Sequence, residues 1–162
     1  MRNGCADSQV SMALENEVKE VQIAINKLSK NGSTPCLTYI IVDKNVNQKL
    51  FKEQGGKMIN PSFGTLVNSD IVTENYDFYM IAQHCNMGTV KPAYYKVIHS
   101  DSKVEEGVLQ ELLYTQCFNY MNWTGSVRVP ACLQYAKKLS TLIGSYVNNR
   151  DEGAFPTRLY FI

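Results

Sequence analysis

Residues 37–42 read Leu37-Thr38-Tyr39-Ile40-Ile41-Val42, a short apolar run in which Thr38, Ile40, Ile41 and Val42 are β-branched. No polar residue alternates through it, so the strand it predicts is buried on both faces, as in a sheet covered by helices. Tyr76-Asp77-Phe78-Tyr79-Met80-Ile81-Ala82 has the same character and reads as a second central strand, over residues 76–83. Further strands are expected at residues 65–72 and 94–99. Before the first run, Leu14, Val18, Val21, Ile25 and Leu28 recur at i, i+4, i+7, i+11 and i+14, an apolar stripe of helical period. Asp7 or Ser8 can cap that helix, and Asn31-Gly32 offers a left-handed stop. Residues 43–63 are polar, with Gly55-Gly56 and Asn60-Pro61, and read as an exposed excursion. Two helices close the chain, one carrying Leu109, Leu112, Leu113, Cys117 and Tyr120, the other Tyr135, Ala136, Leu139, Leu142, Ile143 and Tyr146.

Helix, strands, helix, helix makes an α/β layered domain. The opening Met1-Arg2-Asn3-Gly4 leaves no room for a strand ahead of the first helix. A doubly covered strand near position 40 wants more neighbours than such an order supplies, and a missing N-terminal half of the domain is expected.

Composition narrows the class. The chain has 162 residues, 44% of them hydrophobic and 19% charged, with ten Tyr and six Phe, so a disordered chain is excluded. No apolar run reaches the roughly 18 residues of a membrane span, and Arg-Asn-Gly-Cys-Ala-Asp after Met1 is no signal-peptide core. A soluble, non-secreted protein is expected. The net charge of +1 gives no global electrostatic reason to expect nucleic acid. Cysteines at 5, 36, 85, 117 and 132 form no C-x-x-C pair, and with two histidines no zinc site assembles by spacing. They read mostly as core thiols of a reducing compartment.

Candidates for chemistry are few. Asp43-Lys44 and Lys49 follow the carboxyl end of the first strand, where open α/β sheets bind ligands; a solvated loop is the other reading. His84 follows the second central strand. Lys137-Lys138 lies beside the polar strip Gln134, Thr141 and Ser145, and Lys137 flanks the inward stripe. It suits either a phosphate or simple exposure to water. Glu105-Glu106 precedes a helix and complements its dipole.

Several segments together resemble the C-terminal portion of the PIWI domain of Piwi/Argonaute proteins. Asn60-Pro61-Ser62-Phe63-Gly64-Thr65-Leu66-Val67 resembles N-P-x-x-G-T-x-V. Tyr76-Asp77-Phe78-Tyr79 followed by Gly88-Thr89-Val90-Lys91-Pro92-Ala93-Tyr94-Tyr95 resembles Y-D-F-[FY] and G-T-x-x-P-x-x-Y. Residues 120–131, Tyr-Met-Asn-Trp-Thr-Gly-Ser-Val-Arg-Val-Pro-Ala, and then Gln134-Tyr135-Ala136-Lys137-Lys138-Leu139, are similar to the Piwi clade in particular. Arg158-Leu159-Tyr160-Phe161-Ile162 resembles the aromatic, apolar terminus of Piwi chains. The resemblance covers essentially the whole chain. It implies an RNase H-like α/β fold, a mixed sheet flanked by helices, with residues 1–162 forming a partial PIWI domain that lacks the domain's N-terminal half, MID and PAZ.

It also implies a function: small-RNA (piRNA-type) guided gene silencing, in cytoplasm, nucleus or both, and no membrane. Guide RNA, target RNA and silencing-complex proteins are the candidate partners. The family's endonuclease uses two metal ions held by carboxylates. Its third acidic position falls on Asn3 and its fourth position on Lys137, so the resemblance implies degenerate catalytic positions and no autonomous cleavage. Guide-phosphate contacts of the family map to Lys44 and Lys49, and its guide-lining segment to Arg128 and Gln134. The terminal carboxylate of Ile162 maps to the family's metal site at the guide 5′ phosphate, which implies Mg²⁺ there. Two rival readings stand beside this one: a working endonuclease in a longer form, and a protein-interaction module that binds no RNA.

Overall fold

A computed structural model of the chain describes residues 1–29, 34–73, 76–85 and 87–146. Its centre is a five-stranded sheet in the order β1-β2-β7-β6-β5. β2 is Thr38–Asp43, β5 Thr65–Val67, β6 Asp77–Ile81 and β7 Ala93–Ser100. β1 is the two-residue strand Arg2–Asn3, parallel to β2 with Asn3 opposite Val42. The N-terminus therefore does hold a strand, contrary to the sequence reading. A parallel pair needs a long crossover, and the helix after Gly4 supplies it. The remaining pairs are antiparallel, so the sheet is mixed.

All five residues of β6 are buried, as expected of a run without alternation. On one face Ile40, Val42, Phe78, Met80, Ala93 and Tyr95 meet Leu109, Leu113 and Cys117 of the helix after β7, together with Val129 and Leu133. Phe78 and Tyr95, adjacent across the ladder, stack with centroids 4.9 Å apart and planes 2° from parallel. Burying each such ring is worth about 1.5–3 kcal/mol. Two helices cover this face: α3, Glu106–Gln116, and α4, Ala131–Tyr146. Leu112, expected inside, is 54% exposed, and Ala136 is exposed too.

The opposite face carries the first helical column. A 3-10 turn at Asp7–Gln9, α1 at Val10–Met12, a π-helical stretch at Ala13–Val18 and α2 at Lys19–Leu28 follow without a break. The buried pair is Ala13 and Val18, five apart, the spacing of the π turn. That insertion rotates the face the sequence stripe predicts, and Val21 and Leu28 end up 37% and 78% exposed. Neither Asp7 nor Ser8 caps the start; Ala6 stands at the cap and its N–H donates to Gln9 Oε1 at 3.4 Å. Glu17 accepts from Arg2 Nε at 2.9 Å and from the Tyr39 hydroxyl at 2.5 Å, which fastens the column to β1 and β2. Beneath it, Asp77 is buried and takes the Thr73 and Tyr94 hydroxyls on Oδ2, while Oδ1 has no partner among the described residues.

The segment 43–63 is exposed as expected but not structureless. β3, Lys52–Gln54, and β4, Lys57–Ile59, form a hairpin. Gly55 and Gly56 turn it at φ 60° and 73°, left-handed values that glycine adopts without a Cβ penalty. The strand expected at 65–72 stops at Val67, and Asp70 holds a positive φ of 62° that no ladder accommodates. The Asn60 amide donates to the Gly88 carbonyl at 2.8 Å and accepts from Val90 N–H at 3.1 Å, so it orders the loop into β7. The thiols are all free. Only Cys117 is buried, and Cys36 and Cys132 are exposed, against the expectation of core thiols. The Asn31-Gly32 stop lies outside the described residues. Among the described residues no helix is long and apolar enough to cross a membrane.

Candidate functional site

β2 and β6 both run antiparallel to β7 and so end at the same edge of the sheet. Lys44 and Gln83 follow their carboxyl ends. The α3–α4 connection reaches that edge, because Arg128 within it donates to the Lys44 carbonyl at 2.6 Å, and it is closed on itself by Val127 N–H donating to the Cys117 carbonyl at 2.8 Å. Two adjoining hollows result. One, of about 370 Å³, is lined by Lys44, Gln83, Tyr120, Trp123, Arg128 and Gln134 among others. The other, of about 340 Å³, is lined by Lys44, Tyr120, Gln134, Lys137, Lys138 and Thr141, with Leu142. Lys44, Tyr120 and Gln134 belong to both, so the hollows form one groove.

Its electrostatics are one-sided. Burial first, then the nearby charges of Lys137 and Arg128, holds the Lys44 ammonium below its ordinary pKa. Neither Lys44 nor Lys137 forms an ion pair among the described residues. Two lysines gathered on one groove without ion-pair partners of their own favour an anionic ligand.

Arg128 has a different task. Its Nη2 donates to the carbonyls of Lys44 and Pro92, each at 2.6 Å, and its buried Nε has no partner. Burial lowers its pKa and the Asp43 carboxylate beside it opposes that shift. The guanidinium ties together the loops after β2 and before β7 and so fixes the backbone that carries Lys44. Both bonds leave this one terminal nitrogen, which stands one bond farther from Cα than a Lys ammonium would.

Tyr120 lines both hollows and packs on Tyr135 with ring centroids 5.0 Å apart, and the Tyr135 hydroxyl accepts from Met121 N–H at 2.7 Å. Trp123 stands at the rim, 58% exposed.

The structure thus brings Lys44, Arg128, Gln134 and Lys137 together. Lys49 is exposed in the segment leading to β3 and lines neither hollow. Asn3 sits in β1, and α4 passes beside that strand. His84 is exposed and edge-on to Phe63 at 6.4 Å, away from the groove. Ile162 lies outside the described residues. Tyr120, expected on the stripe of the helix, falls beyond it because α3 ends at Gln116, and it lines the groove instead. Trp123 and Gln83 are not singled out in the sequence; the signal for Trp123 is its place in the motif at 120–131.

A catalytic cation pair does not fit the described donors. No group of three or more His, Cys, Asp or Glu side chains converges among them. Asn3 offers an uncharged amide and Lys137 an ammonium, and hard cations prefer carboxylate oxygens. The Asp43 carboxylate already accepts the Asn45 N–H at 2.8 Å.

A mixed sheet between helical layers, with a groove beyond its strand ends, defines an RNase H-like α/β domain. The Piwi domain family matches residues 1–148, and the chain belongs to that family. Piwi-like protein Ago3 of Bombyx mori is 36% identical over 162 residues, which cover 99% of this chain and 17% of the relative. The crystal structure of Drosophila Piwi superposes with a TM-score of 0.76 at 37% identity, over 88% of this chain and 20% of that one. Kluyveromyces polysporus Argonaute with a guide RNA gives 0.73 at 26% identity, over 86% and 18%. The chain spans about a fifth of the length of the relatives it matches.

Proposed function

We propose that this chain binds the sugar–phosphate backbone of single-stranded RNA in the groove between β2, β6 and α4, as part of small-RNA-guided silencing. One observation carries the reading: Lys44 and Lys137 face one groove together, without carboxylate partners among the described residues, and Gln134 lines the same groove with a neutral amide. An ammonium held partly out of water among like charges gains most from a phosphate, which restores both solvation and neutrality. Kluyveromyces polysporus Argonaute, similar in fold and 26% identical, was crystallised with a guide RNA. Arg128 acts here as the brace of the Lys44 loop, and Lys49 is an outlying cation.

The proposal includes Mg²⁺ between the Ile162 carboxylate and a guide 5′ phosphate, where a cation offsets the repulsion of two anions. It includes guide and target RNA as partners, and action in the cytoplasm, the nucleus or both. Cleavage is not part of it, since the donors near Asn3 and Lys137 do not suit a metal pair. Crosslinking followed by denaturing purification tests the reading: recovered small RNA supports it. A stable protein partner recovered with no crosslinked RNA contradicts it.

A further inference from the structure

We infer that Trp123 is a stacking platform for an unpaired nucleobase at the rim of the groove, an inference that rests on reading the groove as an RNA site. Three observations converge on it. First, the indole is 58% exposed although it belongs to a segment pinned at its far end by the Val127–Cys117 hydrogen bond. Trp123 N–H also donates to the Tyr120 carbonyl at 3.2 Å, so a turn rather than an apolar neighbour sets its position. Second, Gly125 lies against the indole: a Cβ there would sit 3.0 Å from Trp123 Nε1. The glycine backbone supports the pyrrole edge while more than half of the side chain stays in water. Third, the same wall carries Lys44 and Gln134, which places a π surface beside the groups proposed to hold phosphate. Cationic tracks with aromatic platforms at their side are how single strands are held without sequence choice, since every base has a π face. A protein partner would find no carboxylate among the residues lining this hollow, but would find cations suited to a polyanion.

Trp123 is the one tryptophan of the chain, so its emission reports this site alone. The 162-residue chain is titrated with a 5′-phosphorylated oligouridylate of roughly 10 nucleotides, within the usual range for such sites. An abasic ribose-phosphate oligomer of equal length serves as the comparison. Oligouridylate is expected to quench the emission and the abasic oligomer to leave it nearly unchanged. Trp123→Leu is expected to weaken oligouridylate about 10-fold without altering the salt dependence, and Trp123→Phe to restore most of the affinity. Emission unmoved by oligouridylate, equal quenching by the abasic oligomer, or unchanged affinity in Trp123→Leu overturns the inference. If Lys44→Ala and Lys137→Ala leave affinity unchanged while base-dependent quenching persists, the groove reading fails and the stacking stands.

Discussion

Arg128 donates through Nη2 to the main-chain carbonyl of Lys44 at 2.6 Å, so one cation of the groove is placed by another that is itself turned inward. The second carbonyl it reaches, that of Pro92, belongs to the loop before β7. Lys is one bond shorter and falls short of the place Nη2 occupies between the two carbonyls, so at least one bond is lost, and such bonds are worth about 1.5–3 kcal/mol each. Arg128→Lys is expected to lower the melting temperature by about 4–8 °C, from about 2 kcal/mol lost in a chain of this size. A melt unchanged from the parent chain would show that the fork does not brace the loops.

Tyr95 is a core residue with a misfit. Its ring stacks on Phe78, but its buried hydroxyl has no hydrogen-bond partner among the nitrogen and oxygen atoms of the described residues, with the Cys117 sulfur beside it and Arg128 and Cys132 near. An unsatisfied buried hydroxyl costs about 1–3 kcal/mol. Tyr95→Phe is therefore expected to leave the urea midpoint unchanged or higher. Phe78→Ala is expected to cost about 3–5 kcal/mol through the cavity it leaves. A clear loss of stability in Tyr95→Phe would reveal a hydrogen bond that the geometry does not contain.

The clasp between the first helix and the sheet is sensitive at both ends of the pH scale. The Tyr39 hydroxyl, and then the N–H and charge of Arg2, hold Glu17 below its ordinary value of 4.5, against the opposing effect of burial. A carboxylate depressed in the folded state contributes stability above that ordinary value and loses it as pH falls through the lower folded one. Burial, followed by the bond to and charge of Glu17, pushes Tyr39 up to about 12. Its contribution is present below the ordinary 10.0 and fades as pH rises towards 12. Urea midpoints measured across pH should fall less steeply on the acid side in Glu17→Gln. The effect is small, because the carboxylate is 41% exposed. Identical acid limbs in the two proteins would contradict the clasp.

Gly125 limits what can stand beside Trp123. Gly125→Ala brings a methyl group to 3.0 Å from the indole nitrogen and must displace the ring. Its emission maximum is expected to shift while the melt stays near that of the parent. An unaltered spectrum would show that the ring does not rest on that backbone.

The central strands were legible because β2 and β6 are buried on both faces, and an apolar run without alternation has few other homes. β1 was not, since two residues carry no periodicity and Arg2 and Asn3 are strand-forming only by pairing with Ile41 and Val42. The first helix was legible in extent but not in face, because one π turn moves every later side chain and leaves no compositional trace. In the groove, Lys44 and Lys137 could be picked out by position at a strand end and on a helix flank. The inward turn of Arg128 depends on carbonyls 36 and 84 residues away in sequence, which no local pattern encodes. Trp123 falls within a recognisable motif, yet its exposure is a property of the folded loop.

If Lys44 and Lys137 neutralise RNA phosphates, the salt dependence of single-stranded RNA binding must show it. Affinity of the 162-residue chain for a 5′-phosphorylated oligouridylate is measured across salt concentrations, alongside Lys44→Ala and Lys137→Ala. Removing one phosphate-neutralising ammonium should reduce the slope of log K against log salt by about 0.7. Both variants are expected to show a shallower slope and weaker binding. Slopes and affinities equal to those of the parent chain would mean that these lysines hold no phosphate.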